Sequence, residues 1–185
     1  MAAITPITST TAMAPVSTMS TMIQVEYARG WDHRLARPTT PLTEDEAHGC
    51  DDREEDYAAL VWEPGAPQPI VVAVAWASER VDVQFADDPG RLRVGYRFRR
   101  VEPRTLFLSD VHCYFYPSED PGLSCGECNR VEANRFDPDG LLTHEVADAD
   151  TGETVTTKYQ DIDVGKNWEP VPAFGDWLSI TRYER

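Results

Sequence analysis

Cys125-Gly126-Glu127-Cys128 is the segment of this chain with the plainest chemical capacity. Two thiols separated by two residues can bite one metal ion, and Cys113, His112, Cys50 and His48 supply further donors. A tetrahedral zinc site built on Cys113, Cys125 and Cys128, stabilising a structural module, is therefore one expectation. A full zinc signature carries two such close pairs, whereas Cys113 stands alone ahead of Cys125. The same pair could act as a redox dithiol or remain as reduced cysteines in a loop after Gly122. A thioredoxin-like motif needs a strand before it and a helix after it, and residues 129–136 read as strand. Other combinations fall short. His144-Glu145 opens a zincin-like pair, but Asp148 stands where the second His belongs. Residues 148–153 lack the third acid and the distant bidentate Glu of a calcium loop, and read as a hairpin turn. His112 and Cys113 are neighbours on one expected strand and so point to opposite faces. Without a nucleophile elbow, a phosphate-cradling glycine loop or a dinucleotide fingerprint, no catalytic residue is assigned.

The second chemical feature is a row of guanidiniums. Residues 91–99 alternate so that Arg91, Arg93, Arg97 and Arg99 share one face of an extended chain and Leu92, Val94, Tyr96 and Phe98 the other. Residues 91–104 carry six arginines against Glu102, while residues 44–56 carry eight acids against Arg53. The whole chain has a formal charge of -15. A field of that sign repels polyanions, which argues against nucleic acid and against anionic membrane surfaces, and favours solubility or a basic partner. Asp82, on the strand expected to pair with the arginine strand, would satisfy one guanidinium; the others would meet the acids of residues 44–56 or an outside anion.

These groups are positioned by a chain that reads as mainly β. At 185 residues a single domain is expected, with an uncharged low-complexity tail at 1–22 and one β-rich domain over 23–185. Residues 23–27 alternate like an edge strand. Thr43 with Glu46 forms a capping box, but the acids that follow favour a solvated loop over a short helix. The apolar run 70–76 has the pattern of a strand buried on both faces. Residues 81–85, 91–99, 106–116, 130–136, 141–146 and 154–159 complete about seven strands in an antiparallel meander, with turns at 86–90, 137–140 and 148–153. Such a sheet is expected to curl into a barrel-like or sandwich form, with the aromatic, proline-rich tail lying across it and residues 178–183 forming a last strand.

Phe136-Asp137-Pro138-Asp139-Gly140-Leu141-Leu142-Thr143, with Asp150 and Tyr159 following, resembles one unit of the YD-type hairpin repeats of large polymorphic toxin shells, which implies hairpin geometry. The segment Asn167-Trp168-Glu169-Pro170-Val171-Pro172-Ala173-Phe174-Gly175-Asp176-Trp177 resembles the ending of small acidic bacterial proteins that carry no assigned activity. In outline the chain is also similar to immunity proteins that neutralise toxins.

No run approaches the roughly 18 apolar residues of a membrane span. The absence of Lys or Arg before Arg29 fails the pattern of a secretory signal, so a cytoplasmic location is expected. The leading functional expectation is a non-enzymatic, immunity- or antitoxin-like factor that meets a basic protein with the acid concentrated in residues 44–56 and 137–163, the partner-binding candidates being Asp51, Asp52, Glu54, Glu55, Asp56, Arg91, Arg93, Arg97 and Arg99. The alternative is a small-ligand binder or enzyme with a pocket lined by Trp76, Tyr96, Phe98 and Trp177.

Overall fold

A computed structural model describes residues 22–184, so the expected tail lies, but for Met22, outside the described residues. The period of two dictates the middle of the sheet. In β7 (Arg80–Ala86) Val81, Val83 and Phe85 are buried while Arg80, Asp82 and Gln84 are half-buried on the other face. β8 (Leu92–Glu102) continues the pattern, with Leu92, Val94, Tyr96 and Phe98 all inside as expected. β9 (Thr105–Phe115), β10 (Arg130–Phe136), β11 (Leu142–Asp148) and β12 (Glu153–Tyr159) follow as an antiparallel meander.

On the other side of β7 lie β6 (Ile70–Ala75), β5 (Tyr57–Trp62), β1 (Gln24–Ala28) and the two-residue β4 (Pro41–Leu42). β13 (Trp168–Pro170) pairs with residues 105–107 of β9, on the edge whose remainder, residues 110–115, carries β10. The result is one antiparallel sheet of 11 strands, more than the seven expected, and it does not close into a barrel. β5 is the largest omission of the sequence reading: its run Tyr57-Ala58-Ala59-Leu60-Val61 has no alternation because both of its faces are covered.

The inner face is roofed by elements that are not strands. Helix α1 (Glu44–Asp52) forms where a solvated loop was favoured, because the capping box is made and two residues reach the core. The Glu46 amide donates to Thr43 Oγ1 at 3.2 Å, and the Thr43 amide donates to Glu46 Oε2 at 2.8 Å. Ala47 and Cys50, one turn apart, are buried against Tyr57 and its neighbours.

Beside the helix, the C-terminal segment lays Val171, Phe174, Trp177 and Ile180 onto the same core. Residues 178–183 were expected as a strand, but they form turns. Trp177 and Ile180, three apart, must both point inward, and the amides of Ile180 and Thr181 each donate to the Trp177 carbonyl at 3.2 Å. A period of three cannot be met by a strand.

The outer face is covered only in part. A small arm made of β2 (Trp31–Asp32) and β3 (Arg37–Pro38) folds back over β5 and β6, where Trp31 packs on Ala58, Leu60 and Val71. His33 anchors the arm to Gln84 at 2.5 Å. Beyond β9 neither face is roofed by the described residues. Ala133 is the one fully buried residue of β10, β11 is half-buried throughout, and all seven residues of β12 are exposed.

The expected turns of this outer wing are present, with Gly140 (φ 85°) and Gly152 (φ 72°) in the left-handed region. A Cβ on Gly140 would meet the Ile162 carbonyl oxygen at 2.8 Å, whereas one on Gly152 would meet nothing within 4 Å. Gly152→Ala is therefore expected to cost about 1 kcal/mol from backbone strain alone. Gly140→Ala should cost on the order of 2–3 kcal/mol, because the collision with backbone adds to the strain. Hydrogen exchange of the β11 and β12 amides in the two variants measures the difference; equal acceleration would show that the close approach at Ile162 is immaterial.

Candidate functional site

Register across the sheet turns part of the arginine row into a ladder of alternating charge. On the outer face Asp82, Arg97, Asp110 and Arg135 lie opposite one another in β7, β8, β9 and β10. Arg97 Nε donates to Asp82 Oδ1 at 2.9 Å, as the cross-strand pairing predicted, and Arg80 Nε lies 3.1 Å from the other oxygen. Arg135 approaches Asp110 at 3.9 Å and Glu145 at 3.4 Å.

The remaining stripe residues have different environments. Arg91 is 6% exposed: its Nε and Nη2 donate to Asp87 Oδ2 at 2.9 and 2.7 Å, its Nη1 donates to the Ser118 carbonyl, and its guanidinium lies 4.3 Å from the Tyr116 ring centre. This arginine ties the β7–β8 turn to the loop after β9. Arg93 donates to the Tyr114 carbonyl and lies over the Phe115 ring. Arg99 is exposed and has no ion-pair partner among the described residues.

The guanidinium that docks the acidic segment is Arg100, which the alternation places on the opposite parity from the stripe. Its side chain pairs with Glu79, reaches Glu54 at 3.0 Å, and lies 5.1 Å from the Trp76 ring centre. Arg100 keeps the two-residue alternation of β8, on the parity of Phe98, and a reading that grouped only the odd-numbered arginines passed over it.

Most of the acids expected to meet a partner are held by this body. Asp51 Oδ1 accepts from the Tyr57 hydroxyl at 2.8 Å and from Trp76 Nε1 at 2.5 Å. Asp52 lies 3.2 Å from His48, and Glu54 is engaged by Arg100. Glu55 receives Arg53 at 2.9 Å and Arg29 at 3.4 Å, and its carboxyl falls from the ordinary 4.5 to about 2, chiefly through the Arg53 hydrogen bond. Asp56 offers its carbonyl to Arg29 at 3.3 Å.

A large share of the acid left uncommitted lies in the wing. Residues 137–163 contain eight carboxylates against Lys158, and among the described residues only Glu145 of the eight is in an ion pair. Asp148 Oδ1 instead accepts the amides of Asp150 and Thr151 at 2.9 Å, which lowers its pKa and explains the calcium-loop look of that turn as turn capping.

Trp76, Tyr96, Phe98 and Trp177 are brought together as expected, but as packed core. They are 5%, 6%, 0% and 1% exposed and belong to one core cluster. A cleft of about 460 Å³ lies next to them between the proline-rich loop 63–70, the end of β7 and residues 178–183. The thiols do not converge: among the described residues no three His, Cys, Asp or Glu side chains are grouped to hold a metal ion. Cys113 is half-buried in β9, whereas Cys125 opens a one-turn 3-10 helix and Cys128, the extended residue just after it, donates its Sγ–H to the Cys125 carbonyl at 3.0 Å. His112 stands on the outer face between Gly95 and Ala133, and its partial burial lowers its pKa.

No family model, curated protein or solved structure matches the chain. No described helix is long and apolar enough to cross a membrane.

Two outcomes follow from the charge assignments. Arg91→Ala is expected to lower the unfolding free energy by on the order of 2 kcal/mol, by stranding Asp87 and the loop carbonyls, while Arg99→Ala changes it by less than about 0.5 kcal/mol. Urea unfolding of the two variants measures both. The Glu55 carboxyl is depressed by folding, so its contribution is complete above pH 4.5 and is lost as the pH falls through about 2. Glu55→Gln should therefore flatten the fall in stability across that window and leave the curve above it parallel to that of the wild type.

Proposed function

We propose that this protein is a non-enzymatic binding protein whose outer hairpin, β11–β12, docks a basic protein partner. The observation that carries the reading is β12 itself, the open edge of an 11-stranded sheet, exposed at all seven residues. Edge strands present unpaired amides and carbonyls, and folded proteins commonly blunt them with proline, bulges or very short length. The opposite edge fits that practice, since β4 has two residues, one of them Pro41. β12 has seven residues, Glu-Thr-Val-Thr-Thr-Lys-Tyr, with no proline and a continuous register against β11. It is rich in β-branched side chains that favour an extended neighbour.

Charge selects the neighbour. Antiparallel pairing of two β12 strands about Thr156 would set the turn containing Asp148, Asp150 and Glu153 opposite Asp161 and Asp163 of the second copy, acid against acid. A basic extended segment meets the same groups favourably, and the surrounding negative field would speed its approach. Neutralisation of a cationic toxin, the immunity-type role suggested by the outline of the chain, is the specific form of this reading.

The test uses two hexapeptides, alternating Lys-Val and alternating Glu-Val, titrated against the protein with hydrogen exchange as the readout. The Lys-Val peptide is expected to bind and to slow exchange in residues 153–159, while the Glu-Val peptide does neither. Val155→Pro and Thr156→Pro sample both edges of β12, because amides of neighbouring residues point to opposite sides of a strand. The variant that keeps wild-type thermal stability should abolish the Lys-Val effect. Equal protection by both peptides, or protection elsewhere than β12, would overturn the assignment.

A further inference from the structure

The cleft beside the core shares no residue with the wing, and its chemistry is independent of the reading above. Its volume, about 460 Å³, falls within the roughly 300–1,000 Å³ typical of small-molecule sites. Its lining is mixed, with Ile70, Phe85, Leu178 and Tyr183 set beside Glu63, Asp88 and other polar groups. Phe85, 5% exposed, packs edge-on against Tyr96 at 5.1 Å and against Tyr183 at 5.3 Å. Tyr183 is held by its backbone, because the Tyr96 hydroxyl donates to its carbonyl, yet the residue remains 55% exposed. Leu178, across the same opening, is 50% exposed. Two large apolar side chains are thus fixed at the mouth of a cleft instead of being folded under it.

The charges at the rim are unequal in availability. Asp87 is bound by Arg91, and Arg182 is bound by Glu169. Glu63 and Asp88 are exposed and have no ion-pair partner among the described residues. The charge open to a ligand is therefore negative, set beside aromatic faces that also attract cations.

We propose that this cleft is a binding site for an organic cation with a flat apolar body, of the arylalkylamine class. The body lies against Phe85, Tyr183 and Leu178, and the ammonium is directed to Asp88 and Glu63. No covalent step is involved.

Phenethylammonium, phenethyl alcohol and 3-phenylpropionate, three probes of similar shape and different charge, test the assignment by titration against the full chain, followed through the side-chain NMR resonances of Phe85, Leu178 and Tyr183. Saturable binding is expected in the order amine, alcohol, carboxylate, with the amine favoured over the alcohol by about fivefold, the size of one partly exposed charge contact. In the double variant Glu63→Gln, Asp88→Asn that preference should vanish while binding of the alcohol persists, which separates loss of the charge contact from loss of the fold. Tyr183→Ala should weaken all three. Absence of saturable amine binding, equal affinities for the three probes, or an amine preference that survives the double variant would each overturn the proposal.

Discussion

One sheet carries 11 strands, and among the described residues only α1, the C-terminal segment and the short β2–β3 arm pack onto its two faces. Every other feature of the structure follows from how that cover is shared out. The inner face over β5 to β9 is roofed by α1 and the C-terminal segment, with Trp177 and Ile180 fully buried. The outer face receives only the short arm carrying Trp31, over β5 and β6. Where both roofs overlap, the strands are apolar on both sides; where one remains, they alternate; beyond both, β12 has no buried residue. Burial supplies most of the favourable free energy of folding, so the wing depends on its ladder to β9 and on its turns for the order that the body draws from packing.

The same division organises the charge. In the body, acids and arginines meet: Asp82 with Arg97, Asp87 with Arg91, Glu54 and Glu79 with Arg100. Asp51 lies in the last turn of α1, where a negative charge opposes the helix dipole, and it is held there by donors from Tyr57 and Trp76. The excess of negative charge falls largely to the wing, where seven of the eight carboxylates of residues 137–163 are in no ion pair among the described residues. The acidic segment 44–56 dominates the sequence visually, yet in the folded protein it is a clamp between the helix and the end of β8.

Much of this was legible where one physical rule acted alone. Period two fixed β7, β8 and the face on which Tyr96 and Phe98 lie, and the Asp-Pro-Asp-Gly turn fixed the hairpin leading to β11. The capping box at Thr43 was visible, but its weight against the acidic run was not, because that depended on Ala47 and Cys50 finding a core supplied by distant strands. β5 lay hidden because burial on two faces erases alternation. Arg100 was passed over because the row of arginines was read on the odd parity alone, while its partners Glu54 and Glu79 come from segments distant in sequence. The aromatic candidates Trp76, Tyr96, Phe98 and Trp177 lie together in one packed cluster, and a cleft opens one layer away, at Tyr183 and Leu178.

The exposure of β12 bears on how such a protein can change. A substitution at Phe98 or Trp177 disturbs a filled interior, where neighbours must adjust together. A substitution at an outward position of β12 meets water, and exchanges of that kind usually alter stability by no more than about 0.5 kcal/mol. The wing can therefore be rewritten residue by residue while the body stays as it is. A fold arranged in this way separates the part that must be kept from the part that can vary, and a lineage could exchange one recognition surface for another through a series of intermediates that all still fold.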